Sequence, residues 1–122
     1  MKTVLITGAT SGIGLELFKI FSKEKYYVIG IGRNKKRIKK TLNSINKNRK
    51  NLQSFYLCNF ENLEDIKKVF NKISKEVNSI DILINNAGGI FVKNELTKNN
   101  IERTFQVNYL SHFLLTEILL KN

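Results

Sequence analysis

The chain has 122 residues, of which 42% are hydrophobic and 25% charged, enough for one domain with a modest core and not the composition of a disordered segment. Its 21 Lys and Arg against 10 Asp and Glu give a formal charge of +11, a field that gathers polyanions at low salt; outside the cluster Arg33 to Lys40 the cations are scattered along polar helix faces, which argues against a nucleic-acid patch. One cysteine, Cys58, excludes an internal disulfide and fits a reducing compartment, and the most apolar late run, Tyr109 to Leu120, is too short and too interrupted for a bilayer, so the expectation is a cytoplasmic protein without a membrane anchor.

Met1 and Lys2 lead into the apolar run Val4 to Ile6, which reads as a buried first strand; Gly8, Gly12, Gly14 and Glu16 interrupt any signal-peptide core. Thr7 to Gly14 then spells T-G-A-T-S-G-I-G and opens into a helix, to about Lys25, in which Ile13, Leu17, Phe18, Ile20 and Phe21 recur at helical spacing. Strand, glycine turn and helix in that order make a phosphate site, because the helix N-terminus offers unpaired N–H groups and the positive end of its dipole. Gly8 permits the turn, Gly12 lets backbone approach a pyrophosphate, and Gly14 lets the helix pack closely on the sheet. The spacing is G-x-x-x-G-x-G, not G-x-G-x-x-G, so three glycines alone leave a purely structural loop as the competing reading.

Tyr27 to Ile31 is the second strand, closed by Gly32, and completes a β-α-β unit. An acidic residue just past that strand would bind the 2′-OH of NAD; the chain instead reads Gly32-Arg33-Asn34. Arg33 can fork onto a 2′-phosphate, favouring NADP(H) over NAD(H), unless it is merely the first of the surface cations that follow. Lys35 to Ile45 is an amphipathic helix with a thin stripe of Ile38, Leu42 and Ile45, and Lys47 to Asn51 is a polar connection. Leu52 to Leu57 is the third strand, ending at Cys58, a small packing residue with no base beside it. Asn59 has a carboxamide suited to an adenine edge and equally suited to a turn or helix cap. Asn62 to Asn78 is the clearest amphipathic helix, capped by Asn62, with Leu63, Ile66, Val69, Phe70, Ile73 and Val77 on one face. Ile80 to Ile84, apolar except for Asp81, suits a central parallel strand and runs into Asn85-Asn86-Ala87-Gly88-Gly89, a polar tip where open α/β sheets bind ligands.

These segments, with Asp81 to Gly88 (D-I-L-I-N-N-A-G) and Phe105 to Thr116 (F-Q-V-N-Y-L-S-H-F-L-L-T), make the chain resemble the short-chain dehydrogenase/reductase family along nearly its whole length. The last wording is closest to the retinol dehydrogenase-like and protochlorophyllide reductase-like branches. The resemblance implies an α/β fold, the first half of a Rossmann-type doubly wound parallel sheet with about four strands, and an NAD(P)-binding domain over residues 1–122. It implies that Gly8, Gly12 and Gly14 hold the pyrophosphate, that Ser11 and Ile13 lend backbone contacts, that Asn59 and Phe60 flank adenine, and that Asn86, Ala87 and Gly88 lie along the adenosine ribose. Asn108 matches the asparagine of the family's catalytic tetrad, which kinks a helix and holds a water on a proton relay. An asparagine in so apolar a helix needs a hydrogen-bonding partner. His112, the only histidine, falls outside the tetrad and reads as a packing residue or a surface hydrogen-bonder.

The family's reaction, hydride transfer between a dinucleotide and a small carbonyl or alcohol substrate, needs a tyrosine acid, a lysine four residues later and a serine. The residues four positions beyond Tyr26, Tyr27, Tyr56 and Tyr109 are Gly30, Ile31, Phe60 and Phe113. The expectation is therefore the cofactor half of an oxidoreductase, truncated before Tyr-x-x-x-Lys and incomplete as a catalyst. With strand Ile80 to Ile84 left as an apolar edge and a last helix apolar almost all round, self-association or a complementing chain is expected; in relatives that helix contributes to a subunit interface. A non-catalytic dinucleotide-binding module and a basic nucleic-acid-binding protein are the alternatives.

Overall fold

The computed structural model describes residues 1–45 and 47–121, which group into two compact units: Met1–Leu57 with Ser79–Asn86, and Cys58–Asn78 with Ala87–Asn122. Strands β1 (Lys2–Thr7), β2 (Tyr26–Gly32), β3 (Gln53–Leu57) and β4 (Ile82–Ile84) form one parallel sheet in the first unit, in the order β3-β2-β1-β4. That is the strand order of one half of a doubly wound sheet. In register, Val4 lies beside Val28 and Ile82, and Ile6 beside Gly30 and Ile84. The pleat sends Val4, Ile6 and Val28 to one face. There they join Phe18 of helix α1 (Gly12–Lys23) in a buried core, with Leu17, Phe21, Tyr26, Phe55, Ile82 and Ile84 packed around it. Leu5, Ile29 and Ile31 alternate with these along the strands and are also fully buried. Helix α2 (Lys35–Asn43) begins at an Asn34 cap whose Oδ1 accepts from the N–H of Arg37 at 3.1 Å.

Gly30 is required by this packing. A Cβ at that position would lie 2.4 Å from the Phe55 ring, which in turn packs 4.7 Å from the ring of Phe18. Two elements differ from the sequence expectation. Residues expected as a polar connection form a 3-10 helix, Lys47–Leu52, in which Arg49 Nη1 donates to the carbonyls of Ser22 (3.2 Å) and Glu24 (2.8 Å). The fourth strand lies at the sheet edge, as expected, and pairs among the described residues with β1 alone, but it is shorter than Ile80 to Ile84. Its start is set by Asp81, whose N–H donates to the carbonyl of Thr3 (2.9 Å) while its Oδ2 accepts from the N–H of Thr3 (2.7 Å), so a side chain replaces the next ladder bond.

In the second unit, helix α3 (Leu63–Glu76) is capped by Asn62, whose Oδ1 accepts from the N–H groups of Glu64 and Asp65, and both acids favour the positive end of the helix. The last helix is not uniform. A short α4 (Arg103–Phe105) passes into a π-helical turn (Gln106–Leu110) and then α5 (Ser111–Leu120), which packs on α3. Arg103 ties the preceding loop to this helix: it meets Glu61 at 2.6 Å, Glu95 at 3.6 Å, and lies 3.9 Å over the ring of Phe91. No helix among the described residues is long and apolar enough to cross a membrane.

Gly30→Ala forces a methyl group into the Phe55 ring, and such overpacking costs about 1–3 kcal/mol. Urea denaturation is expected to show that loss with an unchanged m-value.

Candidate functional site

In the first unit the turn after β1 is held from two sides. The N–H of Ala9 donates to the carbonyl of Ile31 on β2 (3.1 Å), and the side chain of Asn86, just past β4, donates to the carbonyls of Thr7 (3.0 Å) and Gly8 (3.3 Å). The N–H of Asn86 in turn donates to the buried hydroxyl of Thr7 at 2.9 Å. Gly8 and Gly12 have φ of 66° and 54°, the left-handed region that glycine enters without strain. A Cβ on Gly14 would lie 2.1 Å from the Gly8 carbonyl oxygen and 2.4 Å from Asn86 Nδ2, so only glycine allows the helix to start this close to the turn. A Cβ on Gly12 would meet nothing within 4 Å. The two glycines therefore serve different ends: Gly14 packs, and Gly12 faces open space.

Helix α1 starts without the usual satisfaction of its N-terminus. Ser11 makes no side-chain cap bond, the first turn carries no acid, and the first intrahelical bond shown there runs from Leu15 N–H to Ser11 O. Ser11 and Gly12 are exposed and Ile13 is 74% exposed. The contrast is α3, whose N-terminus has both a cap and two acids. An exposed helix N-terminus with free donors and a glycine in place of a side chain is built to receive an anion. Beside it, a Cβ on Gly32 would lie 2.9 Å from Cγ2 of Thr10 in the turn, so the end of β2 abuts the turn and delivers Arg33 there. Arg33 is exposed and has no ion pair among the described residues.

The second unit holds Asn59, Phe60, Ala87, Gly88 and Asn108. Asn59 realises the turn reading: its Oδ1 accepts from the N–H of Glu61 (3.0 Å), and its own N–H donates to Asp65 Oδ2 (2.7 Å). The ring of Phe60 is buried against Phe70 and His112, which leaves its backbone, not its face, for any ligand, and its carbonyl already accepts from Ser111 Oγ at 2.6 Å. Burial, reinforced by the neighbouring Asp65 carboxylate, pushes the Cys58 thiol far above its ordinary range and makes it inert.

Asn108 is exposed, not enclosed by the apolar helix. Its carboxamide makes a reciprocal pair with Gly89: Nδ2 donates to the Gly89 carbonyl (2.8 Å) and Oδ1 accepts from the Gly89 N–H (2.9 Å). A Cβ on Gly88 would come 3.0 Å from that Oδ1. At Asn108 the helix passes through a π turn, where Ser111 N–H reaches back five residues to Gln106 O. His112 is buried with its ring edge-on to Phe60 at 5.1 Å, and it hydrogen-bonds the backbone carbonyls of Asn108 and Val107. Thr7, Thr10, Gly32 and Gly89 thus take part in shaping these loops although none was expected to be a site residue; the polar tip after β4 was the available signal for Gly89.

Comparison with known proteins identifies the family. Residues 2–122 match the short chain dehydrogenase family. The chain belongs to that family. It is 32% identical to human polyprenol dehydrogenase over 98% of this chain and 36% of that protein, and 33% identical to mouse retinol dehydrogenase 13 over the same shares. A crystal structure of an uncharacterised protein from Mycobacterium paratuberculosis superposes with a TM-score of 0.83 at 27% identity, over 99% of this chain and 42% of that one. The chain spans between 29% and 41% of the curated relatives it matches.

Burial lowers the His112 pKa below 6.5, and its two backbone carbonyl partners only partly oppose this. The neutral ring is therefore favoured in the folded state. Its stability contribution is present above the unfolded value of 6.5 and is lost as pH falls through 6.5 toward the folded value. NMR titration of this sole histidine is expected to give a midpoint below 6.5. Urea midpoints are expected to fall between about pH 7.5 and about pH 5.5, less so in His112→Asn.

Proposed function

We propose that this chain is the dinucleotide-holding part of a short-chain dehydrogenase and that it takes NADP(H) in preference to NAD(H). The observation that carries the reading is the bare N-terminus of α1: donors without a cap or an acid, Gly12 at positive φ with open space where a Cβ would stand, and Arg33 delivered beside the turn. Backbone N–H groups of Ser11, Gly12 and Ile13 hold the pyrophosphate, and Arg33 forks onto the 2′-phosphate. An acid at residue 33 would be repelled by that phosphate; the arginine is attracted to it. Asn86 acts through the turn, whose carbonyls it fastens. Its assignment to the adenosine ribose, with Ala87 and Gly88, and that of Asn59 and the Phe60 backbone to adenine, rest on the family resemblance. The bound cofactor supplies the hydride donor or acceptor.

The reaction of the whole protein is hydride transfer between NADP(H) and a carbonyl or alcohol. Asn108 is the tetrad member on this chain, and its role is to hold the π turn and the Gly88-Gly89 loop in place. The sequence contains no Tyr-x-x-x-Lys, so the chain alone binds cofactor without turning over. The polyprenol and retinol dehydrogenase names of its relatives favour an apolar alcohol or its carbonyl as the substrate class.

Titration of intrinsic NADPH fluorescence is expected to show binding at least tenfold tighter than for NADH, roughly the worth of one charge-assisted contact. Arg33→Ala should remove most of that difference while leaving NADH unchanged, and Gly12→Val should abolish binding of both. Equal affinities for the two cofactors would refute the NADP assignment.

A partner surface is proposed on the last helix. Phe105, Tyr109 and Phe113 are 50%, 59% and 56% exposed, and their rings stack at 5.4 and 6.5 Å along one helix face. Such a stripe is the apolar anchor of an interface. Sedimentation velocity is expected to show self-association that Tyr109→Lys with Phe113→Glu reverses; a concentration-independent monomer with the wild-type chain would rule it out.

A further inference from the structure

At the end of α1 remote from the glycine turn, the first unit contains a cavity of about 480 Å³ lined by Lys19, Ser22, Lys23, Ser44, Ile45 and Arg49. Its size is that of a small-ligand pocket. Lys19, Ser22 and Lys23 share one face of α1 by their spacing, and Arg49 comes from the 3-10 helix after α2. Among the described residues no carboxylate lines it.

Three cations around one void require a reason. The end of α1 carries about half a negative charge, and Arg49 Nη1 satisfies two carbonyls there, Ser22 and Glu24. Lys19 is paired with Glu16 at 3.3 Å, but both side chains are well exposed and the pair is weak. Lys23 has no ion pair among the described residues. A surplus of positive charge remains after the helix end and Glu16 are counted. Complementing the helix dipole accounts for the positions of Lys23 and Arg49; it does not account for the void or for Ser22. That residue lines the cavity, is 7% exposed, and its Oγ has no hydrogen-bond partner among the described residues. A rotation about χ1 turns the hydroxyl toward a ligand oxygen. Ile45 and the methylene stems of the two lysines add apolar wall beneath the charged heads.

We propose that this cavity binds a small phosphomonoester: Lys19, Lys23 and Arg49 receive the dianionic head, Ser22 Oγ donates to it, and Ile45 with the lysine stems takes the organic body. Arg49 keeps Nη1 on the helix carbonyls and uses its other guanidinium donors for the phosphate. The site is separate from the glycine turn. Lys19 to Lys23 stand seven to eleven residues beyond Gly12, roughly 10–16 Å along the helix axis.

The test uses the ¹⁵N-labelled full chain titrated with phenyl phosphate and, separately, inorganic phosphate. Phenyl phosphate is expected to move the amides of Ser22, Lys23 and Arg49 in a saturable way, and inorganic phosphate to move the same amides with weaker affinity. The double variant Lys19→Glu, Lys23→Glu changes exposed positions and should weaken phenyl phosphate by about tenfold or more, while Ser22→Ala weakens it by about threefold. Gly12→Val should leave it unchanged, which separates this site from the proposed cofactor site. Shifts confined to Gly8–Gly14, undiminished binding in the double variant, or no saturable shift would overturn the proposal. Equal affinity for the two probes would overturn the assignment of the organic body.

Discussion

The contact on which the first unit depends is the meeting of three backbones at the end of β1. Asn86 reaches from the end of β4 to the carbonyls of Thr7 and Gly8, and the first turn of α1 lies against the same atoms. The distance there is too short for any Cβ at residue 14. Once Gly14 is fixed by packing, the chain must leave β1 through residues at positive φ, and Gly8 and Gly12 meet that requirement. The helix starts against the sheet at Gly14, while Ser11, Gly12 and Ile13 before and around it stay exposed. A packing constraint thus leaves the N-terminus of α1 exposed, with open space where a Cβ on Gly12 would stand.

The second unit turns on a comparable economy of hydrogen bonds. A π turn disturbs the regular ladder of a helix, and the atoms around it must find other partners. His112 meets the carbonyls of Asn108 and Val107 from one turn on, while the Asn108 side chain pairs with both backbone groups of Gly89. One residue thereby holds a glycine loop and marks the irregular turn. That two-sided use explains why an amide is placed where a leucine would satisfy helix propensity. It also makes Asn108 a positioning group through its side chain.

The four strands, the helices between them in the chain and the family resemblance were legible in the residues because each rests on local pattern. Apolar runs of strand length, helical periodicity in Leu63–Glu76, and the Asn62 cap need no distant partner to be recognised. The 3-10 helix Lys47–Leu52 was not legible, since a run of Lys and Asn has no apolar period and its anchor, Arg49 on the end of α1, is made by chain far away in sequence. The fourth strand was read two residues too long because Asp81 interrupts the ladder with its side chain, an event that depends on the register with Thr3. Asn59 offered two roles by its chemistry, and only the position of Glu61 and Asp65 around it showed the turn.

For the glycine turn the division is similar. Sequence alone determined that residues 8, 12 and 14 carry no side chain, that Arg33 and not an acid follows the second strand, and that Asn108 interrupts an apolar helix. It did so because these are statements about residue type at fixed spacing. Only the tertiary structure decided that Gly14 is compelled by a carbonyl contact while Gly12 opens to solvent, that Asn86 fastens the turn, and that Asn108 is paired with Gly89 at a π turn. Each of those is a contact between segments distant along the chain, and no local preference of the residues encodes which backbone groups folding will bring to them.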